Sequence, residues 1–414
     1  MNNFIYENKT KVFFGKGGVK EYLRSLLDKY SGTVMLAYGG GSIKKNGIYD
    51  EITSILSASG KEFVEFSGIM PNPTYAKVQE GAALACEYNV GLILAVGGGS
   101  VIDCCKIISA QAMLSEDIWE MENVKRRQPT KFIPLGAVVT VSGTGAEMNN
   151  GAVITNEDKK IKGALWGAQA DFAFLDPTYT MSAPFGQVIS GAFDTLSHAM
   201  ETYFGKPDEN NLSDDINEAV MRSVISNIRV LLCDHGNYNA RSELMWASSM
   251  AENGILKIGK ITDFQAHMIE HQLGAFTDCN HGRGLAVIHP VLYRHICGSN
   301  IARFARFARN VWGVQTASNV EAAEAGIRAL ADFTKECGLP TTFRELGIPE
   351  DTDFRAIADS TVLTAGCCKK LTHDEIYNIL MECNPMPPCL RDFRYAAEIC
   401  RTIRPRLSGN GWTG

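Results

Sequence analysis

Four of the eight histidines in the chain lie in two short segments, and an aspartate accompanies the first of them. In GAFDTLSH, Asp194 and His198 are four residues apart, and in HMIEHQLGAFTDCNH the same spacing separates His267 from His271, with His281 at the end. Residues four apart lie on one face of a helix. A carboxylate with several imidazoles suits zinc or ferrous iron, although a single pair is usually only a hydrogen bond. Two such pairs in one chain favour a metal site.

The size and charge of the chain narrow the classes of protein to consider. With 414 residues it is long enough for two domains, each with its own core. A formal net charge of −6 argues against a general binder of nucleic acid or of membrane surfaces. No apolar run is long enough to span a bilayer and no secretory signal is apparent, so we expect no membrane partner.

The twelve cysteines do not form a recognisable disulfide pattern. None belongs to a Cys-x-x-Cys pair, and Cys104–Cys105 and Cys367–Cys368 are adjacent in the sequence. Because adjacent cysteines are poorly placed to bridge to each other, we do not expect a disulfide-stapled scaffold. A reducing cytoplasm is the simplest location for this chain.

The first half of the chain alternates apolar runs with stretches of helical spacing. Residues 33–38 (TVMLAY) and 91–96 (GLILAV) are typical of buried strands, and residues 48–59 have the spacing of an amphipathic helix. This alternation predicts a parallel sheet with right-handed crossovers, in a Rossmann-like dinucleotide-binding α/β domain over residues 1–183. Strand signals then vanish, which predicts an all-α helical domain over residues 184–414.

Two identical GGGS loops, at residues 39–42 and 97–100, follow the two apolar runs. In a parallel sheet, ligands bind at the carboxyl ends of the strands, where these loops would lie. Glycine lets the backbone approach a phosphate, and the next helix offers free N–H groups. Neither loop matches GxGxxG or GxxxxGK[ST], so each by itself also fits a simple turn. A third loop, residues 140–149, adds hydroxyl groups after the next strand.

The first glycine loop lacks the acidic residue that commonly holds the ribose 2′-hydroxyl of NAD. No Asp or Glu follows Tyr38 until Asp50, and Lys44 and Lys45 lie just beyond the loop. This composition would accept an additional phosphate and favours NADP(H), unless the two lysines merely form a solvated helix start.

Together these motifs resemble the iron-containing, or group III, alcohol dehydrogenases. The resemblance lies in GGGSVID at residues 97–103, the loop at 140–144, GAFDTLSHAMETY from residue 191, and HxxxHxLG…HG at 267–282. YGGGSIKKNGIYDEI, from Tyr38, is similar to the branch of NADPH-dependent butanol dehydrogenases and broad-range aldehyde reductases. The resemblance implies an architecture like that of dehydroquinate synthase, and it leaves residues 384–414 unmatched.

The resemblance implies one divalent metal ion, iron(II) or zinc. Its ligands would be Asp194, His198, His267 and His281. His271 matches an unligated histidine beside the nicotinamide and the substrate, and it is the catalytic residue that we expect to pass a proton.

The resemblance also assigns the cofactor contacts. The residues expected to bind NADP(H) are Gly39, Gly40, Ser42, Asn72, Gly97, Gly98, Gly99, Ser100, Asp103, Thr140, Ser142, Thr144 and Lys160. Lys159 and Lys162 are the alternatives to Lys160 if the register differs. Cys279 lies two residues before His281, and we expect its thiol to be a buried bystander and not a ligand.

The implied reaction is metal-dependent hydride transfer between NADPH and a small aliphatic aldehyde, giving the primary alcohol. Two alternatives stay open: an NAD- and metal-dependent lyase of the dehydroquinate synthase type, and a non-catalytic nucleotide-binding scaffold. Such a lyase needs a basic cluster for its phosphate substrate, whereas Phe193, Met268 and Phe276 near the candidate ligands are apolar. We expect a homodimer that pairs through the N-terminal strand.

Overall fold

The first half of the molecule is built on one parallel sheet, and a computed structural model describes residues 1–385. The strands are β1 (Lys11–Phe14), β2 (Thr33–Tyr38), β3 (Phe63–Phe66), β4 (Val90–Gly97), β5 (Leu135–Val139), β6 (Gly151–Asn156), β7 (Ile161–Trp166) and β8 (Phe172–Leu175). Six of them form a parallel sheet in the order β1-β8-β5-β4-β2-β3, while β6 and β7 form a separate antiparallel hairpin. Of the unmatched stretch, residues 384–414, the part from residue 386 onward lies outside the described residues.

Helices cover both faces of this sheet. They are α1 (Gly18–Leu27), α2 (Ser42–Lys45), α3 (Ile48–Ala58), α4 (Tyr75–Glu87) and α5 (Gly99–Gln111). Along β4, Leu92, Leu94 and Val96 belong to the core with α1 and α3, whereas Ile93 and Ala95 belong to the core with α4 and α5. A strand that is covered on both faces must be apolar throughout. The predicted Rossmann-like α/β fold is therefore confirmed.

The second half is helical throughout its described part, as predicted. Its helices are α6 (Phe185–Tyr203), α7 (Leu212–Cys233), α8 (Tyr238–Glu252), α9 (Gln265–Thr277), α10 (His281–Ile296), α11 (Ile301–Trp312), α12 (Asn319–Glu336), α13 (Phe343–Leu346), α14 (Phe354–Ser360) and α15 (His373–Cys383). The domain boundary between residues 183 and 184 falls just before α6 and stays a prediction. Among residues 1–385, no helix is long and apolar enough to cross a membrane.

Helix α10 does not follow from the sequence pattern, because Pro290 lies in its interior and two glycines lie in its first turn. An interior proline costs about 3 kcal/mol, since it removes a backbone hydrogen bond and its ring crowds the preceding turn. Burial of Leu285, Ile288 and Leu292 offsets this, at roughly 1.5–3 kcal/mol for each side chain. The Asn280 side chain accepts a hydrogen bond from the Arg283 N–H and caps the helix.

The two halves of the chain meet backbone to backbone. A Cβ on Gly143, in the loop after β5, would lie 2.7 Å from the Cα of Gly191 on α6. The same loop is held by Ser248 of α8, whose hydroxyl oxygen accepts hydrogen bonds from the N–H groups of Gly143 at 2.9 Å and Gly145 at 3.0 Å. The hydroxyl of Thr195 donates to the Gly143 carbonyl at 3.0 Å. This contact fixes α6 over the carboxyl edge of the sheet.

A π-helical turn at Glu120–Val124 supports the hairpin that β6 and β7 form. The Glu122 carboxylate accepts a hydrogen bond from the Trp166 N–H, with oxygen distances of 2.9 and 3.1 Å. Glu122 is 8% exposed. Burial raises the pKa of its carboxyl from 4.5 to about 7, although the Trp166 N–H opposes the rise.

This raised pKa predicts a pH-dependent effect of Glu122→Gln. The protonated carboxyl is favoured in the folded state, so its stabilising contribution is present below the unfolded pKa of 4.5 and is lost as the pH rises through about 7. Between about pH 4.5 and about pH 8, the free energy of unfolding should shift in favour of the variant by roughly 3 kcal/mol, because each unit of the pKa shift corresponds to about 1.4 kcal/mol. Urea denaturation measures this shift, and exposed Glu157→Gln is the control. A difference between wild type and Glu122→Gln that does not change with pH would contradict it.

Candidate functional site

A cavity of about 440 Å³ lies between the carboxyl edge of the sheet and the helical half. The start of α5, the β6–β7 hairpin and helices α8 and α9 contribute to its walls. A cavity of this size suits a small-molecule ligand or part of a cofactor. The predicted site residues in its lining are Asn72, Gly99, Ser100, Asp103, Thr144, His198, His267, His271 and His281.

The side chains of the four predicted metal ligands converge at one end of this cavity. Asp194 and His198 come from α6, His267 comes from α9, and His281 is the first residue of α10. Each of the three histidines places its Nε2 atom near the Asp194 Oδ1 atom, at 3.5 Å for His198, 3.6 Å for His267 and 3.5 Å for His281. Around a tetrahedral ion with bonds of about 2.1 Å, neighbouring ligand atoms are about 3.4 Å apart.

Of the four atoms that converge here, which are Asp194 Oδ1 and the three Nε2 atoms, two are buried without a hydrogen-bond partner within the described protein. They are Asp194 Oδ1 and His267 Nε2. A buried polar atom without a partner costs roughly 1–3 kcal/mol, so an additional ligand is expected there. The donor atoms of Asp194, His267 and His281 lie within 4.8 Å of one another. The four residues therefore fit a divalent ion.

A second set of donors, from Glu270, His271 and His281, also lies within 4.8 Å. The Glu270 Oε2 atom is already used, because it contacts His281 Nδ1 and lies 3.4 Å from Lys162 Nζ. The second set is therefore a weaker candidate than the group around Asp194.

Each of the three histidines has a glutamate on its other ring nitrogen. Glu201 of α6 contacts Nδ1 of His267, and Glu270 of α9 contacts Nδ1 of His281. For the third histidine, His198 on α6, the Nδ1 atom lies 2.9 Å from Oε1 of Glu252 on α8, although neither atom makes a hydrogen bond in this geometry. Carboxylates in this position fix the imidazole orientation around metals.

These glutamates were not predicted from the sequence. Glu201 is three residues after His198, and Glu270 is three residues after His267, so both are close to the motifs. Helical spacing indicates that they lie on nearby faces, but it does not show which histidine each would contact. Glu252 is remote in sequence and reaches the site only through the packing of α8 on α6.

Electrostatics divides the histidines into two kinds. Burial lowers the pKa of His267, but Glu201 and Asp194 outweigh it and raise that pKa to about 10. For His271 and His281, burial lowers the pKa well below the usual value near 6.5, and Lys162 adds to this. Neutral imidazoles offer a free lone pair, whereas a protonated His267 would release its proton on binding an ion.

His271 lies one turn after His267 and faces the cavity. It is buried, and its Nδ1 atom has no hydrogen-bond partner in the described protein. Its ring stacks on that of His281 with the centroids 5.5 Å apart. The geometry thus separates His271 from the group around Asp194 while keeping it beside that group.

The two GGGS loops lie side by side because their strands are neighbours. Tyr38 at the end of β2 pairs with Val96 of β4, so Gly39 and Gly97 follow at the same edge. The Thr140 N–H donates to the Gly97 carbonyl at 2.9 Å and adds the third loop to this edge. The sequence-predicted loops are therefore adjacent, and the second leads directly into α5.

Not every predicted cofactor residue faces the main cavity. Gly99 does, and a Cβ there would overlap the Thr144 side chain, which explains the glycine. Ser142 lines a smaller cavity beside Thr180 and Arg241. The predicted residues outside the lining of the main cavity are Gly39, Gly40, Ser42, Gly97, Gly98, Thr140, Ser142 and Lys160.

The lysine register is the clearest difference from the predicted cofactor set. Lys160 is exposed at the turn between β6 and β7 with φ of 51°. Lys162, two residues later on β7, is buried and lines the cavity. Side chains of a strand alternate between its two sides. Lys162 lies on β7 and its side chain points to the cavity, whereas Lys160 belongs to the turn before the strand and does not follow this alternation. The geometry favours Lys162 over Lys160.

Asp103 has a structural task in addition to its place in the cavity wall. Its Oδ2 atom accepts the Val153 N–H at 2.9 Å, and its Oδ1 atom lies 3.3 Å from Lys106 Nζ. The Lys106 ammonium also donates to Asn149 Oδ1 at 2.9 Å and to the Gly151 carbonyl at 2.6 Å. These bonds tie the start of α5 to the hairpin.

An acidic residue that the sequence did not associate with the first loop lies beside it. The Glu65 carboxylate of β3 accepts hydrogen bonds from Tyr38 and, at 2.5 Å, from the Tyr49 hydroxyl. Lys44 Nζ lies 2.9 Å from Glu65. The prediction that no acidic residue accompanies this loop therefore holds for its neighbours in the sequence, but Glu65 approaches the loop from another strand.

Two glycines make room for Glu270 and for Lys162, the lysine that it contacts. A Cβ on Gly284 of α10 would lie 2.9 Å from Glu270 Cγ, and one on Gly274 of α9 would lie 3.1 Å from Lys162 Nζ. Cys279 also packs here, with its Sγ atom 3.8 Å from Glu270 Oε1. Burial raises the pKa of this thiol to about 12, which favours the bystander role over that of a metal ligand.

Models of one protein family match most of the chain. "Iron-containing alcohol dehydrogenase" matches residues 9–177, and "Fe-containing alcohol dehydrogenase family, C-terminal" matches residues 188–383. NADH-dependent butanol dehydrogenase A of Clostridium acetobutylicum is 39% identical over 85% of this chain and 91% of its own. NADPH-dependent aldehyde reductase YqhD of Escherichia coli is 34% identical over 84% of this chain and 90% of its own.

Solved structures agree with these sequence relatives. The crystal structure of NADH-dependent butanol dehydrogenase A from Thermotoga maritima superposes with a TM-score of 0.87 at 34% identity. It covers 93% of this chain and 99% of that one. A structure of E. coli YqhD gives a TM-score of 0.86 at 32% identity, over 92% of this chain and 99% of that one.

Proposed function

The chain belongs to the iron-containing alcohol dehydrogenase family, and on that premise we propose that it transfers hydride between NADP(H) and a small aliphatic aldehyde, giving the primary alcohol. The observation that carries this is the convergence of three imidazole nitrogens on one aspartate oxygen beside a cavity that reaches the start of α5. A lyase or a nucleotide-binding scaffold, the two alternatives left open by the sequence, has no comparable support.

The proposed roles follow from the positions of the side chains. Asp194, His198, His267 and His281 would hold the ion, for which iron(II) and zinc are both suited to the donor set. When bound, the ion supplies Lewis-acid polarisation of the carbonyl group, and the nicotinamide supplies the hydride.

The start of α5 is the proposed seat of the cofactor pyrophosphate. Gly99 and Ser100 line the cavity there, where the first turn of a helix leaves N–H groups free and carries a partial positive charge. Trp166, Phe264 and Met268 give other parts of the same cavity an apolar lining. These walls support a small, weakly polar substrate such as butyraldehyde and exclude water from the reacting carbonyl carbon.

His271 is the proposed proton relay. Its pKa, lowered by burial, keeps the imidazole neutral near pH 7, and a neutral imidazole accepts a proton at one nitrogen while it donates from the other. Its place in the cavity wall beside His281 would let it pass a proton between solvent and the alcohol oxygen.

The preference for NADP(H) is the finer part of this proposal. Lys44 and Lys45 follow the first glycine loop, and Lys44 would meet a 2′-phosphate there. The negative charge of Glu65 would repel a 2′-phosphate. This repulsion is reduced because the Glu65 carboxylate accepts hydrogen bonds from two tyrosine hydroxyls and pairs with Lys44. Relatives of both cofactor types exist, since the C. acetobutylicum protein is named NADH-dependent and YqhD NADPH-dependent.

We also propose a homodimer in a reducing compartment, the cytoplasm. Strand β1 is an edge of the sheet, and Phe4, Ile5 and Tyr6 before it are exposed. All ten cysteines within residues 1–385 are free, which suits a reducing environment. Light scattering that gives the mass of a single chain would contradict the dimer.

The first test of the function joins metal analysis to NADPH oxidation with butyraldehyde, before and after chelation. Asp194→Asn should lose bound ion and activity together, because it removes the charged ligand that the three histidines share. Asp332→Asn, at an exposed position of α12, is the matched control and should keep both. An Asp194→Asn protein that is inactive but retains its ion would refute the ligand assignment.

His271→Ala should lower turnover by roughly 10²–10⁴-fold while the ion content stays at the wild-type level. The reason is that the imidazole moves a proton and is not needed to hold the ion. Turnover and metal content are measured on the same preparation. Loss of the ion in this variant would show that His271 is a ligand.

Gly39→Asp should shift cofactor preference from NADPH toward NADH by about tenfold or more, because a carboxylate beside the 2′-position repels a phosphate and accepts a ribose hydroxyl. A Cβ at Gly39 would lie 3.1 Å from the Ile69 carbonyl, so Gly39→Ala is the control for crowding alone. The ratio of kcat/KM for the two cofactors is the readout. An unchanged ratio in Gly39→Asp would refute the 2′-phosphate assignment.

A further inference from the structure

The Glu201 carboxylate is held in place by three polar contacts. Besides contacting His267 Nδ1, its carboxylate accepts the Ala266 N–H at 2.6 Å and the His267 N–H at 3.2 Å. These N–H groups belong to the first turn of α9, where no backbone acceptor is available to them. One carboxylate therefore sets both the start of α9 and the ring orientation of the histidine.

The other two glutamates differ from Glu201 because each also contacts a lysine. Lys257 Nζ lies 2.8 Å from Glu252 Oε2, and Lys162 Nζ lies 3.4 Å from Glu270 Oε2. Both lysines line the cavity. Each of these two carboxylates therefore lies close to both an imidazole and an ammonium group.

The charges of this group sum to a definite value. Four carboxylates and two ammonium groups leave two negative charges when the imidazoles are neutral. Isolated buried charge is costly, and a divalent cation is the ion that would bring this group to neutrality. Nearby Asp103 is matched by Lys106 and does not change the sum. The six charged residues are Asp194, Glu201, Glu252, Glu270, Lys162 and Lys257.

We propose that Glu201, Glu252 and Glu270 are positioning residues that set the affinity of the site for a divalent ion, and that Lys162 and Lys257 oppose them. The inference rests on the ion site of the proposed function. A carboxylate on Nδ1 holds the N–H there, turns the Nε2 lone pair toward the ion and strengthens it as a donor. Each lysine withdraws part of that negative charge.

The two kinds of residue predict opposite effects on ion binding. Glu201→Gln and Glu270→Gln should weaken binding by roughly 10–100-fold, the usual effect of losing a carboxylate behind a metal-bound histidine. Lys257→Met should strengthen binding by about tenfold, because it removes a positive charge near the cation. A variant that is merely damaged in folding only weakens binding, so a gain of affinity is not explained by damage.

The experiment uses the full chain stripped of metal by a chelator, without cofactor or aldehyde. Co²⁺ is titrated against a competing chelator, and the visible absorption of bound Co²⁺ reports both affinity and coordination geometry. Glu218→Gln is the control for glutamate loss, since Glu218 is buried in the helical half and accepts hydrogen bonds from Tyr203 and Arg306 but from no histidine. Lys125→Met is the control for loss of a lysine paired with a glutamate, since Lys125 Nζ lies 2.9 Å from Glu116 Oε2.

Support requires weaker Co²⁺ binding in both glutamine variants, tighter binding in Lys257→Met, and wild-type binding in the two controls. Wild-type affinity in Glu201→Gln and Glu270→Gln, or weakened affinity in Lys257→Met, would overturn the inference while leaving the ion site intact. A wild-type protein that binds no Co²⁺ would instead overturn the ion site itself, so the two failures are distinguishable.

Discussion

The close approach of Gly143 and Gly191 is the constraint on which the site depends. The loop after β5 and helix α6 touch there without intervening side chains, and Ser248 and Thr195 hold the contact with hydrogen bonds. Asp194 lies less than one turn beyond Gly191. The contact therefore sets how far the central carboxylate stands from the sheet edge, and the histidines of α9 and α10 are arranged around it.

Burying this group of charged and polar side chains costs free energy, and this cost bears on the role of the group. Several carboxylates and imidazoles share a volume with little solvent, where like charges repel strongly and unpartnered polar atoms are unfavourable. The high pKa of His267 beside the low pKa of His281 is the result of such crowding. A fold selected for stability alone would place apolar side chains there. The proposed ion site gives these charges a role that stability does not.

Much of this could be predicted from local patterns. The apolar run of β4, the GGGS loops and the spacing of Asp194, His198 and His267 each carry their information within a few residues. The outcome for His271 shows the limit of such patterns, since its spacing from His267 equals that of His198 from Asp194, yet it lies beside the converging group. Spacing fixes a shared face, and only tertiary packing decides what that face meets.

The features that escaped prediction are those produced by contacts remote in sequence. Glu252 reaches His198 through the packing of two helices, and Glu65 reaches Lys44 through the pairing of β2 with β3. Lys162, an alternative that the sequence left open, lines the cavity where Lys160 does not, because the hairpin turn sets which residues face inward. In α10, Pro290 argues against a helix, and its burial in the core decides otherwise.

The glycines beside Glu270 have a consequence for how the helical half can evolve. Each lies inside a helix, where glycine costs about 1 kcal/mol relative to alanine because it loses more backbone freedom on folding. Alanine at position 284 would recover this helix stability, but its methyl group would press on the Glu270 side chain. Two adjacent helices thus forgo stability to house Glu270 and Lys162, so selection for heat resistance and selection for this site act in opposite directions at the same positions.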